Sequence, residues 1–413
     1  MNKKIIISLV AIGVCASLGA NDYVVSSDLR VGYVDYDFNN PVSNVGKNDS
    51  HGVYFAPKFS ITTPVKNNFS AKVTVAGVTD FGLNSSNEDR NLVFDGGENR
   101  SFAMLQELYA SYKDKENKLK IGRQELVTPL VESDDYYFLA NSFDAITYTT
   151  TLLANHTFHL GYISSMSGVW DSGANGTEFH SVLDASFIDA RDKATVDNSG
   201  IFYAAAEYKY LNHSFKIWEY YLNNMYNMAL AEYNFSSASE KFSYDFGIQA
   251  VNFKEVGQLA NNGFTNIDYS IYSVKFDGKF DNGISFATGG TKYSSGKGQG
   301  ATLGAFGGFP TYTYGFAHSY FDVASLENAK IYKLQLSYNL SNIGIDDAKI
   351  SYRYTQYDLD ETLSAGEEYM KLNGVKFSYA TKDGLSFNAT YEHRNLDKSK
   401  KASAIRIIGG YKF

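Results

Sequence analysis

Cysteine is almost absent from this chain of 413 residues: the only one, Cys15, lies inside a short apolar stretch near the N-terminus. Disulfides, a thiolate nucleophile and a cysteine metal site are therefore excluded from everything after that stretch. Proline is scarce, at 5 residues, and no change of composition marks a linker, so the length does not read as two or three soluble domains in series. Beyond residue 20 no apolar run approaches the roughly 20 residues that a membrane helix needs. Basic excess is missing too. Asp and Glu number 45 against 37 Lys and Arg, a net charge of −8, which argues against a nucleic-acid partner.

What is present begins with Lys3 and Lys4, followed by an apolar run from Ile5 to Leu18 and the small residues Ser17, Gly19 and Ala20. This pattern predicts a signal peptide over 1–20, cut after Ala20 or one residue earlier, and a mature chain over 21–413. Val14 precedes Cys15 and the small-residue site lies further on, so the leader is not of the lipoprotein type. The remainder is rich in Tyr (33), Phe (29) and Gly (35), yet its mean hydropathy is slightly polar at −0.28. A transmembrane β-barrel reconciles the two, because aromatic residues serve its outer face while polar groups serve lumen and loops.

Such a barrel requires alternation with period two over about 9–11 residues per strand. From Lys241 to Val251, Phe242, Tyr244, Phe246, Ile248 and Ala250 share one face, and Lys241, Ser243, Asp245, Gly247 and Gln249 the other. Similar patterns place strands at 28–38, 53–63, 69–80, 105–113, 118–126, 142–150, 156–164, 200–210, 213–222, 225–235, 241–252, 267–276, 284–292, 331–338, 348–358, 369–380, 384–394 and 402–413. The fold class is all-β: one transmembrane antiparallel barrel of about eighteen strands, an even number that leaves both termini on the periplasmic side. Short links such as 64–68, 114–117, 211–212, 236–238 and 382–383 alternate with long ones at 81–104, 127–141, 165–199 and 293–330. Asn223-Asn224 breaks this alternation, as a misplaced boundary or a short loop at a subunit contact. The chain ends Arg406-Ile407-Ile408-Gly409-Gly410-Tyr411-Lys412-Phe413, similar to the terminal strand by which outer-membrane assembly machinery recognises its substrates.

Ile121-Gly122-Arg123-Gln124-Glu125-Leu126-Val127-Thr128-Pro129-Leu130, then Asp134-Asp135 and Asn141-Ser142-Phe143, resembles the OprD-type porins, including the versions found in Campylobacter relatives. Gly307-Gly308-Phe309-Pro310-Thr311 is similar to that family's seventh loop. The resemblance implies an outer-membrane, eighteen-stranded channel with loops 127–141 and 293–330 folded into the pore. It also implies passage of small hydrophilic solutes, often carboxylate-bearing ones such as amino acids or organic acids, and some relatives are trimers. Tyr136 and Tyr137 stand where an arginine is expected in better-known members, so no individual solute is carried over.

If aromatic positions mark the lipid face, the opposite positions point inward. They predict a basic arc of Lys58, Lys72, Lys333, Arg353, Lys376, Arg394 and Arg406, continuous because the first and last strands of a closed barrel are neighbours. Alternation is ambiguous at Arg30 and Arg123, and Arg123 shares the parity of Leu119 and Ile121. The inserted loops carry Asp134, Asp135 and Asp322, with Glu132, Asp171 and Glu327 nearby, so an acidic constriction is expected to face the basic wall. The resulting transverse field would orient dipolar solutes. Ordinary solvated lumen charges are the plainer alternative.

No catalytic residue, metal or cofactor is expected. Asp134-Asp135 and Asp346-Asp347 lack the spacing of a calcium loop, the seven histidines lack HExxH spacing, and the glycines of 295–300 lack the phosphate-loop pattern. Nor is there a GxSxG cluster for a barrel hydrolase. The remaining alternative to a pore is a surface adhesin acting through the loops. Expected partners are outer-membrane lipid and lipopolysaccharide, the barrel assembly machinery, small solutes and further copies in a homotrimer.

Overall fold

The computed structural model describes residues 23–37, 50–84, 101–133, 138–167, 179–316, 325–364, 366–398 and 401–413. The leader expected over 1–20 lies outside them, as do Asp134, Asp135, Tyr136, Tyr137, Asp171 and Asp322.

Antiparallel neighbours follow one another around a closed ring. Its strands are β1 (Val24–Asp37), β2 (Ser50–Thr62), β3 (Phe69–Thr79), β4 (Ser101–Lys113), β5 (Asn117–Gln124), β6 (Ser142–Thr150) and β7 (His156–Ser167). After the two-residue β8 (His180–Ser181) come β9 (Ile201–Tyr210), β10 (His213–Leu222), β11 (Tyr226–Ala238), β12 (Phe242–Glu255), β13 (Asp268–Phe280) and β14 (Ile284–Tyr293). The ring finishes with β15 (Lys330–Asn339), β16 (Ala348–Asp358), β17 (Tyr369–Ala380), β18 (Leu385–Leu396) and β19 (Ala402–Lys412). β1 pairs with both β2 and β19, which closes the barrel, and β7 pairs with β9, so β8 is an appendage and eighteen strands form the wall. The terminal Phe413 is fastened across the closure, its N–H donating to the Ser27 carbonyl (3.1 Å) and its carbonyl accepting from Ser27 N–H (2.7 Å).

All eighteen expected strands are present, and 142–150, 213–222, 348–358 and 369–380 coincide with the observed elements. The wall is apolar on the outside: Leu108, Ile121, Ile146, Leu160, Ile217, Val274, Leu334, Val375 and Ile407 are all exposed. At the end with short turns, Phe242, Tyr244, Phe276, Phe280 and Phe286 form one belt, with ring centroids 4.9–6.5 Å apart. No helix among the described residues is long and apolar enough to cross a membrane. The strands supply the apolar band, as a barrel satisfies every backbone group within its own wall.

β4 begins at Ser101 rather than near 105, for a local reason. Thr74 lies opposite Glu107 but Val75 lies opposite Leu105, so Gln106 is an extra residue in β4. This β-bulge turns two consecutive side chains, Gln106 and Glu107, inward and reverses the alternation across it. A period-two pattern cannot run through such a point.

The short Asn223-Asn224 link is a true tight turn, with Leu222 opposite Tyr226 and Asn224 at φ 59°. Neighbouring loops cover it. Leu259 N–H donates to the Asn224 carbonyl (3.0 Å), Val256 N–H to the Met225 carbonyl (2.9 Å), and Asn224 Nδ2 to the Asp197 carbonyl (2.8 Å). Met225, Tyr226 and Leu259 are buried together with Val182, Ala185, Ile188 and Val196 of the preceding long loop. That loop is stapled to residues 256–267 by the buried Asp192 carboxylate, which accepts from Phe264 N–H (2.8 Å) and Thr265 N–H (2.7 Å). Nearby, Asp189 caps the helix Ala190–Lys193, and its hydrogen bonds with Arg191 hold its carboxyl down at about 2. Asp192→Ala leaves two N–H groups without an acceptor, at about 1–3 kcal/mol. Limited proteolysis of the folded variant in detergent is expected to cut within 182–200 faster than in the parent. An unchanged rate would show that the staple carries no stability.

Candidate functional site

Two long links turn into the barrel and meet there. The link between β5 and β6, residues 125–141, is called L3, and that between β14 and β15, residues 294–329, is called L7. The first half of L3 is a tight hairpin: Ser133 N–H donates to the Leu126 carbonyl (2.7 Å), Leu126 N–H to Ser133 Oγ (2.9 Å), and Thr128 Oγ1 to the Val131 carbonyl (2.7 Å). Its tip inserts Leu130 and Val131, both fully buried, into the larger hydrophobic cluster. Phe138 and Leu139, from the second half, join a separate cluster with Val34, Tyr54, Val78 and Met104 on β1 to β4. L3 thus bridges two apolar regions on different sides of the lumen.

L7 fastens to L3 through backbone. Val131 pairs with Gly307, Glu132 N–H donates to the Phe306 carbonyl (2.9 Å), and Gly308 N–H to the Leu130 carbonyl (3.2 Å). Only glycine permits this approach at 307: φ is +84°, and a Cβ there would lie 2.1 Å from the Glu132 carbonyl oxygen. L7 then runs along the inner wall. Tyr312 Oη donates to Glu232 Oε2 on β11 (2.9 Å), and Thr313 Oγ1 donates to Thr291 Oγ1 on β14 (2.7 Å). The next three residues are gripped by a cation and an anion. Arg353 Nη1 donates to the carbonyls of Tyr314 (3.0 Å) and Gly315 (2.9 Å), and its guanidinium lies 4.0 Å from the Phe316 ring. Phe316 N–H donates to Glu392 Oε1 (2.7 Å).

The pairing registers place the predicted cations. Lys333 lies opposite Thr355, Arg353 opposite Gly374, Lys376 opposite Thr390, Arg394 opposite Ala402, and Arg406 opposite both Thr390 and Val34. Lys58 faces Asp28 and Ala76, and Lys72 faces Thr62 and Tyr109. All seven lie on the inner face of consecutive strands from β15 through the closure to β3. Arg30, undecided by alternation, joins them, because its guanidinium bonds Asp28 (2.9 Å) and reaches the Phe138 carbonyl of L3 (3.4 Å). Arg123 does not extend the arc. It pairs with Asp144, opposite it on β6 (3.1 Å), and stacks 3.3 Å from Phe179.

Among the described residues, carboxylates that alternation did not single out accompany four of the arc's cations. Asp28 pairs with Arg30, Glu125 with Lys58 and Glu107 with Lys72, while Glu392 stands two residues from Arg394 along β18. Opposite the arc, the wall carries Glu207 on β9, Glu232 on β11, Asp245 on β12 and Asp277 on β13. Lys216 is paired with Glu232 (3.0 Å) and Lys275 with Asp245 (2.5 Å). β11 lies nine strands from β1 in the eighteen-strand ring, so Glu232 and Arg30 are diametrically opposed. Among the described residues, the acidic counter-wall is therefore built from strands, whereas the sequence expectation put it on Asp134, Asp135 and Asp322. The same parity test would have found Asp245, opposite in sense to Phe246. It would also have found Glu107, opposite in sense to the exposed Leu108, but not Gln106, the extra residue of the bulge.

Among the described residues no group of three His, Cys, Asp or Glu side chains could hold a metal ion. Among the described residues, the inner face carries mostly cations on the strands around the closure and mostly carboxylates on the strands opposite, with L3 and L7 lying between them.

No family model and no curated protein matches this sequence. Solved structures do resemble the fold. Pseudomonas aeruginosa OccK9 (OpdG) superposes with a TM-score of 0.78 at 15% identity, over 95% of this chain and 98% of that one. The BenF-like porin from Pseudomonas fluorescens Pf-5 gives 0.74 at 16%, over 95% and 99%. Pseudomonas aeruginosa OpdK with vanillate gives 0.73 at 14%, over 95% and 98%. At such identities the likeness concerns the fold: a large closed barrel of the OprD type.

Proposed function

We propose that this barrel is an outer-membrane channel for passive diffusion of small hydrophilic solutes, favouring those that carry a carboxylate. The observation that carries the reading is the eight-cation arc, from Lys333 through Arg353, Lys376, Arg394, Arg406, Arg30 and Lys58 to Lys72, facing Glu232, Asp245 and Asp277 across a lumen narrowed by L3 and L7. Barrels of about 16–18 strands enclose an aqueous channel, whereas eight strands are filled by their own side chains. Fixed charge of one sign on one wall raises the local concentration of the opposite ion and orients dipoles. Two structural neighbours point the same way by name, one being a porin and the other solved with vanillate, a carboxylate. Assembly into a homotrimer through the barrel machinery belongs to the same reading.

Reconstitution into planar bilayers tests it. Folded protein is expected to give discrete conductance steps, and a preparation that is folded but silent would overturn the reading. Lys376→Glu with Arg394→Glu removes two cations and adds two anions without touching the L7 contacts of Arg353. The zero-current potential in a salt gradient is expected to move toward cation selectivity. An unchanged potential would mean the arc does not govern permeation.

A further inference from the structure

On the outer face of the barrel, at the end where L7 leaves the wall, two lysines stand side by side. Lys292 is the last outward residue of β14 and Lys330 the first residue of β15, and the register sets them directly opposite each other. Both are exposed. Side chains so placed start from Cβ atoms about 4.5–5.5 Å apart, where like charges repel. Among the described residues, neither ammonium has a hydrogen-bond or ion-pair partner. Asp358 lies opposite Lys330 on β16, but Gln356 Nε2 donates to its Oδ1 (2.7 Å). On the outward positions of β12 to β17 near this rim, Lys254, Lys292, Lys330 and Lys371 stand against Asp268 and Asp358, four cations to two carboxylates among the described residues. The paired lysines therefore cost stability unless an anion reaches them from outside the chain.

Beneath the pair, β14 turns small residues outward. Gly290 lies between Val274 of β13 and Tyr332 of β15, and Thr288 between Phe276 and Leu334. The four flanking side chains are exposed, while β14 has no side chain at 290 and a short one at 288, so this strand floors a shallow trough. A Cβ at Gly290 would meet nothing closer than 3.8 Å, so the space above it is open. Thr288 Oγ1 donates to the Lys333 carbonyl (3.1 Å), which ties up the hydroxyl on the floor. Phe286 closes the far end, its ring 5.7 Å from that of Phe276. From Lys292 to Phe286 the strand covers about 20 Å at its usual rise. A cationic head above an apolar trough on the membrane-facing wall matches a lipid with an anionic headgroup and a long acyl chain.

We propose that Lys292 and Lys330 hold a phosphate of lipid A, the lipid part of lipopolysaccharide, with one of its acyl chains lying along Gly290 and Thr288. Charge complementarity and position select this occupant. The rim with long loops is the external one, and there the outer leaflet presents phosphates on a compact disaccharide that carries several acyl chains, so one molecule meets both lysines and the trough. The site lies on the far side of the wall from the lumen and does not depend on which solute passes.

The mature protein, folded in detergent, is titrated with purified lipid A, and the temperature at which its heat-modifiable band converts is read, since a ligand of the folded state raises that temperature with concentration. The parent is expected to be stabilised saturably. Lys292→Gln with Lys330→Gln should need about ten to thirty times more lipid A for the same shift, each lysine near a membrane surface contributing about fivefold. Gly290→Leu keeps both lysines but fills the trough, and should need several-fold more as well. Lys115→Gln with Lys382→Gln removes the same charge from turns at the opposite rim and should behave as the parent. A loss of less than about twofold in the Lys292 and Lys330 variant overturns the site, on the same scale of lysine contributions, and so does an equal loss in the Lys115 and Lys382 variant. Parental affinity in Gly290→Leu overturns it too, because the trough is part of the site. Phosphatidylglycerol or inorganic phosphate matching lipid A at equal concentration would likewise sink it, since the lysines would then attract any anion. None of these results touches the channel reading, which stands or falls on conductance.

Discussion

Arg353→Lys is expected to raise the conductance and current noise of the channel while leaving its ion selectivity where it was. The reason is that Arg353 is spent on holding L7. One guanidinium serves the carbonyls of Tyr314 and Gly315 and, through Nε (2.9 Å) and Nη2 (2.7 Å), Gln335 Oε1, while its plane stacks on Phe316. Lysine keeps the charge but is a point donor on a flexible stem and cannot reproduce a planar fork. Hydrogen bonds to a charged group contribute about 1.5–3 kcal/mol each, so losing the two to L7 shifts the docked-to-released balance by roughly two to four orders of magnitude. Arg353→Ala should show the same loosening together with weaker anion preference, since it also deletes a lumen charge. The pair of variants separates holding from charge. A lysine variant indistinguishable from the parent in conductance and noise would sink the latch.

The second large effect is expected at the contact between the loops. Gly307→Val places a β-branched residue at φ +84°, and its Cβ would overlap the Glu132 carbonyl. The neighbouring Gly308 is as confined, a Cβ there lying 2.4 Å from Leu130 backbone atoms. Neither obstacle is the end of a flexible side chain, so relief requires L3 and L7 to separate. The barrel wall does not depend on that contact, because its strands pair with one another around the full ring. The variant should therefore remain folded and heat-modifiable yet admit larger solutes: in liposome swelling, disaccharide uptake relative to monosaccharide should rise several-fold over the parent, on the scale of the barrier that about 1 kcal/mol represents. Parental size discrimination in a folded Gly307→Val protein would mean that the narrowing lies elsewhere.

The wall of this barrel was readable because its information is local. Whether Phe246 or Asp245 faces outward is decided by period two within a few residues, and the strands carry that pattern except where a bulge interrupts it, as in β4. The cations were legible for the same reason, since Lys333, Arg353 and Arg394 each sit opposite in parity to exposed neighbours such as Leu334, Tyr352 and Tyr391. Boundaries were blurred where tertiary pairing outruns the alternation, as at Val24, which lies opposite Thr62. At Asn223-Asn224 an apparent violation of loop length turned out to be a tight turn roofed by loops that arrive from elsewhere in the chain.

By itself, then, the sequence determined an all-β chain of eighteen alternating segments with an apolar outside, and it put the basic residues of the strands around the closure on the opposite parity. Only the tertiary structure decided what those charges do. Glu125 meets Lys58 across 67 positions of chain, Arg353 meets Tyr314 across 39, and Gln106 turns inward because β3 and β4 slip by one residue. Such partnerships depend on register, closure and the path of loops through the lumen. A side chain's face follows from its own neighbours in sequence, but its partner is set by segments that only folding brings together.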